Sequence, residues 1–183
     1  LAREILAPLV EGIDLSSAAF PHLSVREGRI CGVPTRLARV SFTGELGFEV
    51  NVPADYALSV QEAIWAEAEP KGACAYGMDT LHLLRAEKGF IIVGLDTDGT
   101  VTPDDIGMGK MVGMAKPDFV GKRSLSLADL KRPGRKQLVG LLPVDPKHRP
   151  EEGEQLVASE KTPPGTQAVG HVTSSYMSAT LDR

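Results

Sequence analysis

One stretch constrains this chain more than any other: Arg39-Val40-Ser41-Phe42-Thr43-Gly44-Glu45-Leu46-Gly47-Phe48-Glu49-Val50. It reads as two short strands joined by a tight turn, because Gly44 and Gly47 bracket two residues where glycine relieves positive φ at a hairpin. After the turn Phe48, Val50 and Val52 alternate with Glu49 and Asn51, a period of two that separates an apolar from a polar face. Glu49 then stands opposite its apolar neighbours on a stiff strand. A carboxylate so placed can accept two parallel N–H bonds from a planar guanidine-like group, as an arginine or a pterin ring offers. It can equally be the solvent face of a two-sided hairpin, and spacing alone leaves both readings open.

The chain of 183 residues suffices for one domain with a good core or for two small ones. A net charge of -4 with no strongly basic half argues against a nucleic-acid or anionic-membrane surface. The single basic cluster, Lys131-Arg132-Pro133-Gly134-Arg135-Lys136, is centred on Pro-Gly and reads as an exposed turn before a phosphate patch. Cys31 and Cys74 lack metal-ligand spacing, so we expect reduced, partly buried thiols of a cytoplasmic protein and no metal site. No apolar run approaches the roughly 20 residues of a membrane span, and no signal peptide is visible. The chain starts without Met, inside an apparent helix, and stops without a cap, so a fragment of a longer protein is expected.

Along the chain, helical patterns are expected over 1–10, 14–20, 54–68 and 78–88, with Met78, Leu81 and Leu84 as the buried row of the last and Gly89 as its C-cap. Strands are expected over 23–30 and 33–41, with turns at Glu27-Gly28 and Cys31-Gly32. Arg85 falls on the buried row of its helix, an odd place for a charge. Either it reaches a carboxylate, an anion or a cleft rim, or its stem packs and its head snorkels to water. Residues 90–117 are loop-like; Asp96-Thr97-Asp98-Gly99 glances at a calcium loop but has Gly99 and Gly107 at the wrong positions. Beyond Phe119-Val120-Gly121-Lys122 and a short helical piece over 124–130, the runs 137–144, 154–158 and 169–174 suggest a small β-module.

The signature stretch continues in order into Gly77, Leu84-Arg85-Ala86-Glu87-Lys88-Gly89, Gly94-Leu95-Asp96, Thr102-Pro103, Lys116-Pro117-Asp118-Phe119-Val120-Gly121-Lys122 and Gly170-His171-Val172-Thr173-Ser174. This ordered set resembles the aminomethyltransferase family, the T-protein of glycine cleavage. Within that family Ala19-Phe20-Pro21, Gly32-Val33-Pro34, Glu87-Lys88-Gly89 and the run from Thr173 to Arg183 look most similar to the folate-binding part of sarcosine oxidase alpha subunits. The resemblance implies an α+β fold: a folate-binding part with an antiparallel sheet over 1–118, then a small β-barrel or jelly-roll-like module over 119–183.

It also implies a tetrahydrofolate site. Glu49 aligns with the family's pterin-binding glutamate, Phe42 with a ring that packs on the folate, and Arg85 with the arginine facing the glutamate tail, while Thr43 and Glu45 belong to the same binding stretch. The implied activity is transfer of the one-carbon unit from sarcosine oxidation to give 5,10-methylenetetrahydrofolate. Flavin (FAD or FMN) and NAD are expected only in other parts of the assembly, whose partners are the rest of the alpha subunit and further subunits. No catalytic residue is assigned here, because the family's catalytic aspartate is expected upstream of Leu1. Val93 departs from an aromatic position common in the family. Glycine-cleavage T-protein and dimethylglycine oxidation are the alternatives within the family. A non-catalytic folate-binding assembly module is a third, disfavoured because residues 90–95 lack the cysteine such relatives carry.

Overall fold

The computed structural model describes residues 1–182; Arg183, the last residue of the C-terminal run noted above, lies outside them. The chain forms two compact units, one from Leu1 to Phe90 and one from Ile91 onward. Helices and antiparallel sheets occur together, an α+β arrangement.

In the first unit helix α1 (Ala2–Leu6) leads to strands β1 (Val10–Glu11), β2 (Ser24–Ile30), β3 (Val33–Arg39) and β4 (Glu49–Asn51), an antiparallel sheet in the order β1-β2-β3-β4. Helix α2 (Ala57–Ala68) and helix α3 (Met78–Glu87) follow. The pattern over 1–10 predicts one longer helix, but Pro8 lacks the N–H a continuing helix needs, and the chain turns into β1. Residues 14–20 make turns rather than a helix: Ser16 N–H donates to Asp14 Oδ1 (2.8 Å) and Phe20 N–H to the Ser16 carbonyl (2.9 Å).

Glu27-Gly28, read above as a turn, lies inside β2. A Cβ on Gly28 would sit 2.6 Å from the Glu11 carbonyl oxygen, so glycine there lets the chain around β1 approach. The Cys31-Gly32 turn forms as expected, with φ of 50° and 76° and Ile30 facing Val33, as a two-residue primed hairpin turn requires. Both cysteines are free and exposed rather than partly buried, since both lie on connections outside the core.

The β3–β4 connection differs most from expectation. In place of a tight turn, residues 40–48 form a nine-residue loop between Arg39 and Glu49. Gly44 has positive φ (82°), whereas Gly47 serves a close approach: a Cβ there would lie 3.1 Å from the Val40 carbonyl oxygen. The register Leu37↔Val50 turns Val50 inward and leaves Ala38, Glu49, Arg36 and Asn51 on the other face. Phe20, Ile30 and Leu37 are fully buried with Leu6, Leu15 and Val60, and Phe48, Val50, Val52 and Ile64 pack against them. The apolar stripe of α2 thus meets the apolar face of the sheet.

The second unit has little regular structure. Strands β5 (Gln155–Leu156) and β6 (Gly170–His171) pair antiparallel. Residues 137–144 form no strand, and the helical pattern over 124–130 yields one 3-10 turn, Ser124–Ser126. Two buried carboxylates tie distant segments together instead. Asp96 accepts from Ile92 N–H (2.9 Å), Thr173 Oγ1 (2.6 Å) and Ser174 Oγ (3.2 Å). Asp105 accepts from Arg135 Nη2 (2.6 Å) and Nε, from Thr102 N–H and Oγ1 (2.8 Å each) and from Gln137 Nε2. The basic cluster is therefore an exposed turn except at Arg135, which folds inward to this ion pair.

Hydrogen bonds from Arg135 are the main cause that holds the Asp105 carboxyl well below the usual carboxylate range. A depressed folded pKa means this stabilisation is complete above the unfolded value near pH 4 and is lost as pH falls from there. Acid titration followed by circular dichroism should show that loss. Asp105→Asn should flatten the acid limb and cost on the order of 3 kcal/mol near neutrality, by leaving Arg135 without its counter-charge. In the first unit Leu37→Ala should cost about 3 kcal/mol, read from denaturant unfolding by Trp65 fluorescence.

Candidate functional site

The residues singled out by the signature all fall in the first unit, on three supports: edge strand β4, the loop 40–48 and the end of α3. Glu49 opens β4 on the face opposite the core, beside Ala38. It is exposed, and its side chain has no hydrogen-bond or ion-pair partner among the described residues. Both carboxylate oxygens are therefore open to an external donor. A cleft of about 290 Å³ beside β4 is lined by Val50, Val52, Ala57, Val60, Gln61, Ile64 and Trp65, on the apolar side of the strand and without Glu49.

The loop is anchored at its base. Phe48 sits 5.6 Å from Phe20, centroid to centroid, the Arg39 guanidinium lies 5.5 Å over the Phe48 ring, and Arg39 Nη1 donates to the Gly47 carbonyl (3.5 Å). Such a cation over an aromatic face contributes roughly 0.5–1 kcal/mol. Phe42 presents an exposed ring, and Thr43 is half-buried. Glu45 is exposed and pairs with Lys88 Nζ at 3.2 Å. A Cβ on Gly44 would lie 2.5 Å from Lys88 Cγ, so the loop rests directly on the stem of that lysine. Gly44 and Glu45 are thereby brought to the C-terminal end of α3, where Arg85 lies, with Phe42 and Thr43 just before them in the chain. No hydrogen bond or ion pair joins the Glu49 side chain to that group among the described residues.

Helix α3 ends as Gly89 predicts. Gly89 (φ 76°) donates its N–H to the Ala86 carbonyl and Phe90 its N–H to the Arg85 carbonyl, both 2.9 Å, a Schellman arrangement. Arg85 Nη1 donates to the Phe90 carbonyl (3.1 Å). A cation suits this negative end of the helix dipole. One expectation changes here: Met78 is 63% exposed rather than buried, while Arg85, at 2%, lies on the buried side of α3 as its spacing implies. Snorkelling is thus excluded for Arg85: its head lies inside, with the Phe90 carbonyl at the helix end as one acceptor.

Pattern reasoning did not single out Lys88. Its signal was available in the Gly44–Glu45 pair, a glycine beside an acid, but only folding brings a residue 43 positions downstream against them. In the loop read as a weak calcium motif, Asp96 accepts from the protein donors described above and Asp98 from Thr100 N–H (2.7 Å) and Oγ1 (2.6 Å). Among the described residues no helix is long and apolar enough to cross a membrane.

Comparison with known proteins agrees with the signature. The family described as GCVT N-terminal domain matches residues 1–116, and the Glycine cleavage T-protein C-terminal barrel domain matches residues 136–183. The chain is 47% identical to sarcosine oxidase subunit alpha of Corynebacterium sp. (strain P-1) over 185 aligned residues, covering 100% of this chain and 19% of that protein. Sarcosine oxidase subunit alpha of Rhizobium meliloti (strain 1021) is 41% identical, over 97% of this chain and 18% of its own length. Aminomethyltransferase of Streptomyces coelicolor is 34% identical, over 85% of this chain and 41% of its own length. The chain therefore spans about a fifth of the sarcosine oxidase subunits and under half of the aminomethyltransferase. With more than half of its length matched by one family and its remaining C-terminal part by that family's barrel, this chain belongs to the glycine cleavage T-protein (GCVT) family.

Proposed function

We propose that this chain is the tetrahydrofolate-binding part of an enzyme like the sarcosine oxidase alpha subunit, passing on the one-carbon unit released when sarcosine is oxidatively demethylated. The observation that carries the reading is Glu49: a carboxylate at the family's signature position, projected from a paired strand, with neither oxygen engaged among the described residues.

The donor set suits folate. Glu49 accepts the paired N–H groups of the pterin edge, a charge-assisted fork worth more than a neutral pair. Phe42 offers its exposed ring to the flat heterocycle, and Thr43 and Glu45 supply polar groups on the same loop. Arg85 lends positive charge near the glutamate tail while its Nη1 stays in the helix cap. Tetrahydrofolate itself supplies the nitrogens that take the carbon, giving 5,10-methylenetetrahydrofolate. The acid–base group for that step is assigned to the region preceding Leu1, and flavin and NAD to other parts of the assembly. In this reading the folate-binding part runs over 1–118 and the C-terminal module over 119–183, with further alpha-subunit sequence and other subunits as partners, in the cytoplasm. Glycine-cleavage aminomethyl transfer is the second reading, supported by the aminomethyltransferase identity but at a lower level than the sarcosine oxidase identity.

Titration of the intact native protein with tetrahydrofolate tests the site. Glu49→Gln should weaken binding at least about tenfold, the loss expected for a charge-assisted fork, with the melting temperature unchanged because Glu49 contacts nothing that folding needs. Unaltered affinity ends the assignment. Arg85→Gln should instead lower stability by about 1–2 kcal/mol in denaturant unfolding, since a buried cap is disrupted. Product analysis with sarcosine, dimethylglycine or an aminomethylated carrier then separates the reactions.

A further inference from the structure

We infer that Lys88 is a positioning residue of the folate site, holding the signature loop in its binding shape from the end of α3. The inference rests on the folate reading above and adds a residue to it. Two contacts meet at this lysine. Its ammonium pairs with Glu45 at 3.2 Å, and its Cγ, Cδ and Cε would lie 2.5, 2.7 and 2.9 Å from a Cβ on Gly44. The φ of 82° at position 44 calls for glycine, and the absence of a side chain there lets the lysine stem lie against the loop.

Among the described residues no other ion pair reaches the tip of the loop. Apart from Glu45, residues 41–46 make no hydrogen bond among the described residues, and the anchors at Phe48 and Gly47 act only at the base. A nine-residue connection left unsupported samples many conformations, and ordering it on binding subtracts from affinity. Lys88 limits that cost before the ligand arrives. Its neighbour in the same turn, Arg85, is buried in the cap, so the anchor point is itself rigid. Because the ion pair is exposed, with 45% and 74% of the two side chains accessible, the effect is modest in size.

The test measures dissociation constants for tetrahydrofolate and for tetrahydropteroate, which lacks the glutamate tail, in the intact native protein. Lys88→Met, which keeps the stem and removes the charge, should weaken both ligands equally, about threefold to fivefold, and Lys88→Arg should stay within about twofold of the native protein. Hydrogen exchange should quicken at amides 41–46 in Lys88→Met with no change in melting temperature. Weakening confined to the glutamate-bearing ligand overturns the inference, because Lys88 would then be a direct tail contact. Unchanged affinity in Lys88→Met, alongside weakened binding in Glu49→Gln, overturns the clasp and leaves the folate site standing. Unchanged affinity in both variants removes the site and the inference together.

Discussion

The pairing of β3 with β4 is the constraint on which the first unit depends. With Leu37 opposite Val50, the side chains of Val50, Val52 and Phe48 enter the cluster of Phe20, Ile30 and Leu37, while Glu49 goes to the other face. A slip of one residue would exchange the two faces, sending a carboxylate into an apolar core and a valine into water. The penalty for burying an unpaired carboxylate is large enough to make that register exclusive. The same burial that stabilises the unit therefore also presents Glu49 outward, and a proposed binding group is aimed at no extra structural cost.

The loop between these strands shows the opposite economy. It carries the polar and aromatic groups of the signature but no internal ladder, so its shape comes from both ends: an aromatic and cationic stack at the base and the α3 terminus at the tip. That terminus is well suited to act as a support. Its last carbonyls are satisfied by the Gly89 motif, and Arg85 closes the cap from inside. Surface polarity alone would leave such a loop mobile; a capped helix beside it gives it a fixed neighbour.

In the second unit polar contacts take over work that a sheet usually does. Asp96 joins the segment after α3 to Thr173 and Ser174, and Asp105 joins Thr102 to Arg135 and Gln137. Each carboxylate satisfies several donors at once, which is what makes its burial tolerable. The apolar run near Val139, Leu141 and Leu142 stays exposed. Among the described residues of this unit, regular β-structure amounts to two short strands, although this part of the chain matches a barrel family.

By itself the sequence determined those features that local chemistry controls. The alternation of Phe48, Val50 and Val52, the Cys31-Gly32 turn, the stripe of α2 and the Gly89 cap follow from periodicity and from glycine's freedom at positive φ, and each is found. The ordered signature likewise carried the family. Tertiary structure decided what depends on residues far apart in the chain. Pro8 and the approach of the chain around β1 cut the first helix short and kept Gly28 inside a strand; the tight turn opened into a nine-residue loop; Arg85 went inward and Met78 outward; Lys88 and Arg135 found partners 43 and 30 positions away. Periodicity reports which face of an element is apolar. It holds no record of which charge that face, or a distant loop, will meet once the chain has folded, and those meetings shape the proposed site.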